Sequence, residues 1–151
     1  MISPVVSLRP VEDADLPVFL VHEQDPESNA MAVYPPRTPE AFYEHWATIR
    51  ANPDCILRSV LVDGILVGRM MTWVHDGERE VGYWIGREFW GHGYATAGLR
   101  LLLEEVTDRP IVAHVALDNV GSRRVLEHCG FSVVSEGVAE DGVPERTLRL
   151  G

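Results

Sequence analysis

The sequence predicts a mixed α/β domain, a mostly antiparallel twisted sheet of about seven strands flanked by about four helices. Three observations lead there. Two Asp-Gly pairs, Asp63-Gly64 and Asp76-Gly77, separate apolar runs, and Asp-Gly between such runs is the strongest short-range hairpin signal. A strand–turn–helix junction follows in residues 80–98, where the apolar run Val81 to Ile85 leads through Gly91-His92-Gly93 into a helical period at positions 95, 99, 102, 103 and 106. Finally, 151 residues make one domain, 1–151, with a core that needs no staples.

Taken in order, residues 5–9 alternate as a short strand, and Asp13 or Asp15 can cap a helix carrying Leu16, Val18, Phe19 and Leu20. Residues 25–39 are rich in Pro, Asn and Ser and read as a loop. Its length and its apolar Met31, Val33 and Tyr34 suit the wall of a substrate site. Thr38-Pro39 opens a helix with a cap and a proline at the first helical position. Its apolar residues Ala41, Phe42, Trp46 and Ile49 share one face, and it stops before Asn52-Pro53.

Strands then span 55–62 and 65–75, with a third beginning near Arg79, so a three-stranded meander feeds the glycine junction. In the helix from Tyr94 to Thr107, Gly98 costs about 1 kcal/mol relative to alanine, which implies close packing against the sheet. A β-branched strand at 111–117 follows, then a helix capped by Asn119 that runs to about Cys129 and ends at Gly130. Strands at 131–139 and 144–150, turning at Asp141-Gly142, complete the order β-α-α-β-β-β-α-β-α-β-β.

Composition narrows the function classes. The net charge of −10, with every basic residue an arginine, opposes general binding to nucleic acid or to an anionic membrane and favours a cationic partner such as an amine. No apolar run approaches the roughly 18–20 residues of a membrane span. The N-terminal residues lack the basic and apolar regions of a signal peptide, and Cys55 and Cys129 form no CxxC pattern. A cytoplasmic protein with free thiols is expected. No metal is expected, because His75, His92, His114 and His128 form neither an i,i+4 pair nor a cluster with cysteine.

The chemistry centres on Gly91-His92-Gly93-Tyr94-Ala95. Glycines let a backbone approach a ligand, and successive N–H groups at a helix start hold an anion such as a pyrophosphate. A dinucleotide fingerprint fails here: Thr96 stands at the third glycine position, no acidic residue suits a ribose about 20 residues on, and an antiparallel meander precedes the loop. A Walker loop fails for want of Gly-Lys-Ser/Thr.

Two segments, Gly-Tyr-Trp-Ile-Gly-Arg-Glu-Phe-Trp-Gly-His-Gly-Tyr-Ala-Thr (82–96) and Asp-Asn-Val-Gly-Ser-Arg-Arg-Val-Leu-Glu-His-Cys-Gly-Phe (118–131), together resemble the GCN5-related N-acetyltransferase (GNAT) superfamily. The local sequence is most similar to its ribosomal-protein N-terminal alanine acetyltransferase branch. The resemblance implies a parallel strand pair, 81–85 and 111–117, that splays apart to admit acetyl-CoA as cosubstrate. Of the superfamily loop Arg/Gln-x-x-Gly-x-Gly/Ala, Trp90 takes the first place, Gly93 the fourth and Ala95 the sixth. By the same carry-over, backbone groups of Trp84 and Ile85 bond the pantetheine arm. The amides of Gly91, His92, Gly93, Tyr94, Ala95 and Thr96 hold the pyrophosphate. Asn119 meets the pantetheine or acetyl end, and Arg123 and Arg124 reach the CoA phosphates. A homodimer is the assembly it implies.

For catalysis, the resemblance matches His114 to a base position on the fifth core strand and Glu80 to a base position on the preceding strand. Where relatives carry a tyrosine acid, this chain has Leu126, and Ser122 is the substitute. Direct attack needs a neutral amine, a polarised thioester carbonyl and a tolerable thiolate. At pH 7.4 an α-amine of pKa about 7.8 is roughly a quarter neutral, and a lysine amine near 10.4 about one part in a thousand. The expected activity is therefore transfer of an acetyl group to a primary amine, either the α-amine of a peptide or protein N-terminus or a small-molecule amine. The alternative is a sensory or regulatory module that binds CoA and transfers little.

Overall fold

Two tight turns set the middle of the sheet. In the computed structural model, which describes residues 3–151, Asp63 and Gly64 have φ of 50° and 81°, and Asp76 and Gly77 have 49° and 77°. These are the left-handed pairs that two-residue hairpins require. They join β2 (Ile56–Val62), β3 (Ile65–His75) and β4 (Glu78–Ile85) as the expected antiparallel meander. With β1 (Val6–Pro10), β5 (Ile111–Ala116), β6 (Ser132–Val138) and β7 (Pro144–Leu150), the described residues form one sheet of seven strands in the order β1-β2-β3-β4-β5-β7-β6.

Every neighbouring pair is antiparallel except β4 and β5. That parallel pair is registered only at Arg79↔Ile111 and Glu80↔Val112. Beyond those residues the strands part, as the splay requires.

Five α-helices flank the sheet among the described residues: α1 (Leu16–Glu23), α2 (Pro26–Ala32), α3 (Pro39–Ala51), α4 (Tyr94–Glu105) and α5 (Val120–His128). Short 3-10 turns stand at Asp13–Asp15 and Arg87–Phe89. The expectation that 25–39 is a loop is corrected by α2, which joins the about four helices expected. Asp25 accepts the Ser28 N–H at 2.9 Å, Pro26 takes the first helical position, and Val33 closes the helix in a left-handed conformation at φ 51°. Capping and packing hold seven residues helical despite weak propensity.

Asp15 does not cap α1 through its side chain. Its carboxylate instead takes two hydrogen bonds from Arg9 at 2.6 and 2.9 Å, one from the Ser59 hydroxyl at 2.7 Å and one from the Glu12 N–H. Burial alone would raise this carboxyl, but those bonds prevail and hold it at about 2.

The sheet separates two apolar clusters. On one face Leu99 and Leu102 of α4 and Leu126 of α5 pack with Val60, Met70, Val81, Ile85 and Leu148. On the other, Leu16 and Phe19 of α1 meet Phe42 and Trp46 of α3. Gly98 earns its place in α4 by contact: a Cβ there would lie 2.9 Å from Cε of Met70. Among the described residues no helix is long and apolar enough to cross a membrane.

Candidate active site

The gap left by β4 and β5 opens into a cavity of about 370 Å³. One wall is the C-terminal half of β4 (Tyr83, Trp84, Ile85), a second the loop and first turn of α4, and a third the start of α5 with Asn119 and Ser122. Ser28, Met31 and Ala32 of α2 close it on the remaining side. Among the described residues no charged side chain lines it. Its polar equipment is hydroxyls, amides and main-chain N–H groups.

The loop leaves main-chain donors free at the start of α4. Gly91 and Gly93 have φ of 80° and 78°, and a Cβ on either would meet nothing within 4 Å, so the glycines serve conformation and leave open space. Gly93 caps α4 without a side-chain bond, the first α-helical bond is Ala97 N–H to Gly93 C=O, and the first turn carries no acidic residue. The N–H groups of Tyr94, Ala95 and Thr96 thus lack helical partners at the positive end of the helix dipole. His92 stacks on Tyr94 at 5.2 Å, flanking this site.

On β4, Gly86 N–H donates to Val67 C=O at 2.9 Å. Antiparallel alternation then directs the main-chain groups of Trp84 toward β3, which corrects the expectation that they face a pantetheine arm, and those of Tyr83 and Ile85 toward the gap. Consistently, the Trp90 indole N–H donates to Ile85 C=O at 2.9 Å, which locks the loop to the strand. Trp84 borders the cavity, and its ring packs edge-on to Tyr34 at 5.6 Å and under the Arg69 guanidinium at 5.5 Å. Its indole nitrogen, like the Ser28 hydroxyl, is buried without a partner among the described residues. Arg87 ties the loop to α2 through both carboxylate oxygens of Asp25, at 2.9 and 3.1 Å.

Asn119 caps α5 by accepting the Ser122 N–H at 3.1 Å. Arg123 pairs with Glu127 at 3.1 Å, and Arg124 is exposed. Leu126 is fully buried in the core, so its position faces packing and not the cavity. Ser122 does face the cavity, with the Tyr83 hydroxyl 2.7 Å from its Oγ.

Glu80 and His114, separate candidates in the sequence, are neighbours in space: Oε1 lies 3.6 Å from Nε2. Glu145 stands 3.5 Å from Nδ1, and the Thr147 hydroxyl 3.0 Å from it. Register explains the meeting, since Glu80 pairs with Val112 and His114 with Thr147 across β7. Burial raises the Glu80 carboxyl above the usual carboxylate range, against the pull of His114. The cluster sits where the strands start to part and not in the wall of the cavity.

Residues 6–132 match the family model described as Acetyltransferase (GNAT) domain. The chain belongs to the GNAT acetyltransferase family. A curated relative, YdaF of Bacillus subtilis (strain 168), whose name provisionally makes it a ribosomal N-acetyltransferase, is 34% identical over 113 residues, 69% of this chain. The match spans 60% of that relative's length. Among solved structures, spermidine N-acetyltransferase from Vibrio cholerae, in complex with CoA and spermine, superposes with a TM-score of 0.83 at 18% identity, covering 96% of this chain and 94% of that one. RimJ of Mycobacterium smegmatis, in complex with CoA-disulfide, gives 0.79 at 23% identity over 98% and 85%. These likenesses establish the GNAT fold.

Tyr83 is the site residue that the sequence did not single out. It reads there as one apolar position of a strand, and only the packing of α5 on β4 brings it to Ser122. A hydroxyl-bearing aromatic at an inward strand position beside a ligand loop was the available signal.

Proposed function

We propose that this GNAT domain transfers the acetyl group of acetyl-CoA to a primary amine by direct attack, favouring the α-amine of a peptide N-terminus or a small amine of lowered pKa. One observation carries the reading: a single cavity begins at the unpartnered N–H groups of α4 and ends at parted strands beside Ser122. The pyrophosphate would lie on the amides of Gly91 to Thr96. Pantetheine would run along the main-chain groups of Tyr83 and Ile85 that face the gap, with Asn119 beside it, and Arg123 and Arg124 would reach phosphates at the mouth. A main-chain N–H of β4 would polarise the thioester carbonyl.

The amine's proton would pass to the Glu80–His114 pair. A carboxylate raised by burial is a better base than an ordinary one, and the neighbouring imidazole gives the proton a second place to go. A base that lies outside the cavity wall assists weakly. It suits an amine already partly neutral at cellular pH, as an α-amine is and a lysine is not.

The relatives point the same way from two sides. YdaF is named for ribosomal acetylation and the Vibrio enzyme for spermidine, and a net charge of −10 attracts cationic acceptors of either kind. The test offers acetyl-CoA with peptides bearing one α-amine and one lysine, and separately with spermidine, and maps products by mass spectrometry. Acetylation of the α-amine is expected, with spermidine, whose primary amines are as basic as a lysine's, the poorer acceptor. Products confined to ε-amines would sink the acceptor preference, and CoA binding without turnover would favour the regulatory module.

A further inference from the structure

Tyr83 packs its ring against the core, and its hydroxyl reaches beyond that packing to Ser122. The Tyr83 oxygen lies 2.7 Å from Ser122 Oγ and 3.1 Å from the Ser122 carbonyl oxygen. Tyr83 has one proton and two acceptors, so the contact has two arrangements. In one, the phenol donates to the carbonyl and the serine hydroxyl donates back to the phenol. In the other, the phenol donates to Oγ, and the serine proton is released toward the cavity that both residues line. The backbone of Ser122 is fixed meanwhile by Asn119. Rotating two hydroxyls switches the site from a resting to a donating state with no charge moved.

Resting on the acetyl-CoA reading of the cavity, we propose that Tyr83 is a positioning residue for departure of the thiol: it turns the Ser122 hydroxyl onto the sulphur as the thiolate forms. In this step the amine nitrogen bonds the thioester carbon, the C–S bond breaks, and its electron pair leaves on sulphur. The proton released by the amine goes to the Glu80–His114 pair, and the thiolate later takes one from solvent. Tyr83 and Ser122 give up no proton. Burial pushes the phenol above its usual range, whereas a thiol sits near 8.5, so full proton transfer from the pair to sulphur runs uphill. Hydrogen-bond donation is what remains, and among the described residues no charged side chain lines the cavity to do it instead. Cys129 is the other titratable group near the phenol, and it too is neutral, its thiol raised by burial.

The position once left to Leu126 therefore needs no acid. The hydroxyl comes from the facing strand and acts through the first turn of the helix.

Two readouts test this on the intact chain. With free CoA bound, thiolate absorbance is followed against pH. The bound thiol should ionise about one pH unit below its free value, and Y83F and S122A should each restore the free value, as should the double variant. With acetyl-CoA and a reactive amine, Y83F should lower kcat about 10- to 100-fold with KM for acetyl-CoA within about threefold. Y83F/S122A should be no worse than S122A, and S122T, which keeps the hydroxyl, should recover activity. A thiol titration and kcat unmoved by Y83F would overturn the proposal, as would losses that multiply in the double variant. If Y83F does not fold, 3-fluorotyrosine in place of Tyr83, which keeps the packing and strengthens the phenol as a donor, should move the bound-thiol titration, and a titration it leaves unmoved would overturn the proposal. Failure of the wild-type chain to bind CoA would overturn the acetyl-CoA reading itself. A lowered thiol titration without amine turnover would overturn the role in thiol departure together with the transferase, and leave only a hydrogen bond to bound CoA.

Discussion

Gly68 gives the sharpest link between packing and the site. It lies on β3 opposite Ile85, next to the bulge that shifts the β2–β3 register after Val60. A Cβ built there falls on the Trp84 carbonyl oxygen and comes within 2.9 Å of both Cα and Cδ1 of Ile85. Contacts become ordinary at 3.4 Å, so β4 must retreat by at least 3.4 − 2.9 = 0.5 Å, and further for the carbonyl. Two of these three atoms are main chain, and no rotamer change relieves them. Gly68→Ala should therefore cost about 3 kcal/mol, the upper end for overpacking, and lower Tm by about 6–12 °C at this size. Because the displaced residues are the cavity's strand wall, the affinity for CoA should fall with the stability. Denaturant unfolding and calorimetric CoA titration read the two effects. A variant within about 0.5 kcal/mol of wild type, or one that loses stability yet binds CoA unchanged, would refute the idea that the β3–β4 contact sets the cavity.

Three further outcomes follow from other parts of the molecule. Gly93→Ala meets no steric obstacle but places a Cβ at φ 78°, so it should cost about 1–2 kcal/mol in unfolding and weaken CoA binding through the tilted amides, with calorimetry as the readout. Glu80→Gln and His114→Ala should lower kcat together and non-additively, and the wild-type rate should rise with pH as Glu80, raised by burial, loses its proton, an acidic limb that Glu80→Gln removes in pH–rate profiles. Acid should destabilise the chain in two steps. His22 is held at about 4 by burial and then by Arg69, so the unfolded chain binds its proton first, and about 3 kcal/mol is lost as pH falls from 6.5 to 4. Asp15, held at about 2, stabilises fully above about 4, and its share, about 2 kcal/mol, is lost between there and 2. His22→Gln should remove the first stage in unfolding experiments at stepped pH.

What could be read in the sequence was what local chemistry dictates. Asp-Gly twice demands left-handed residues, Thr38-Pro39 and Asn119 cap their helices, and Gly91 and Gly93 announce a backbone that approaches a ligand. Helix α2 was missed because its composition favours a turn. Asp25-Pro26 carried a cap signal, but its helix is seven residues long and stands by packing. Pairings across the sheet were beyond reach. Glu80 and His114 are 34 positions apart and Tyr83 and Ser122 are 39 apart, and each pair depends on register or on how a helix docks. Leu126 read as a gap in the machinery until its burial in the core made Tyr83 the residue to consider.

The most direct measurement is backbone amide exchange, residue by residue, with and without saturating acetyl-CoA. If the cavity is the acetyl-CoA site, the amides of Tyr94, Ala95 and Thr96, which have no helical partner, should gain strong protection together with those of Tyr83 and Ile85 on β4. Acetyl-CoA that binds while these five amides exchange as before would contradict it.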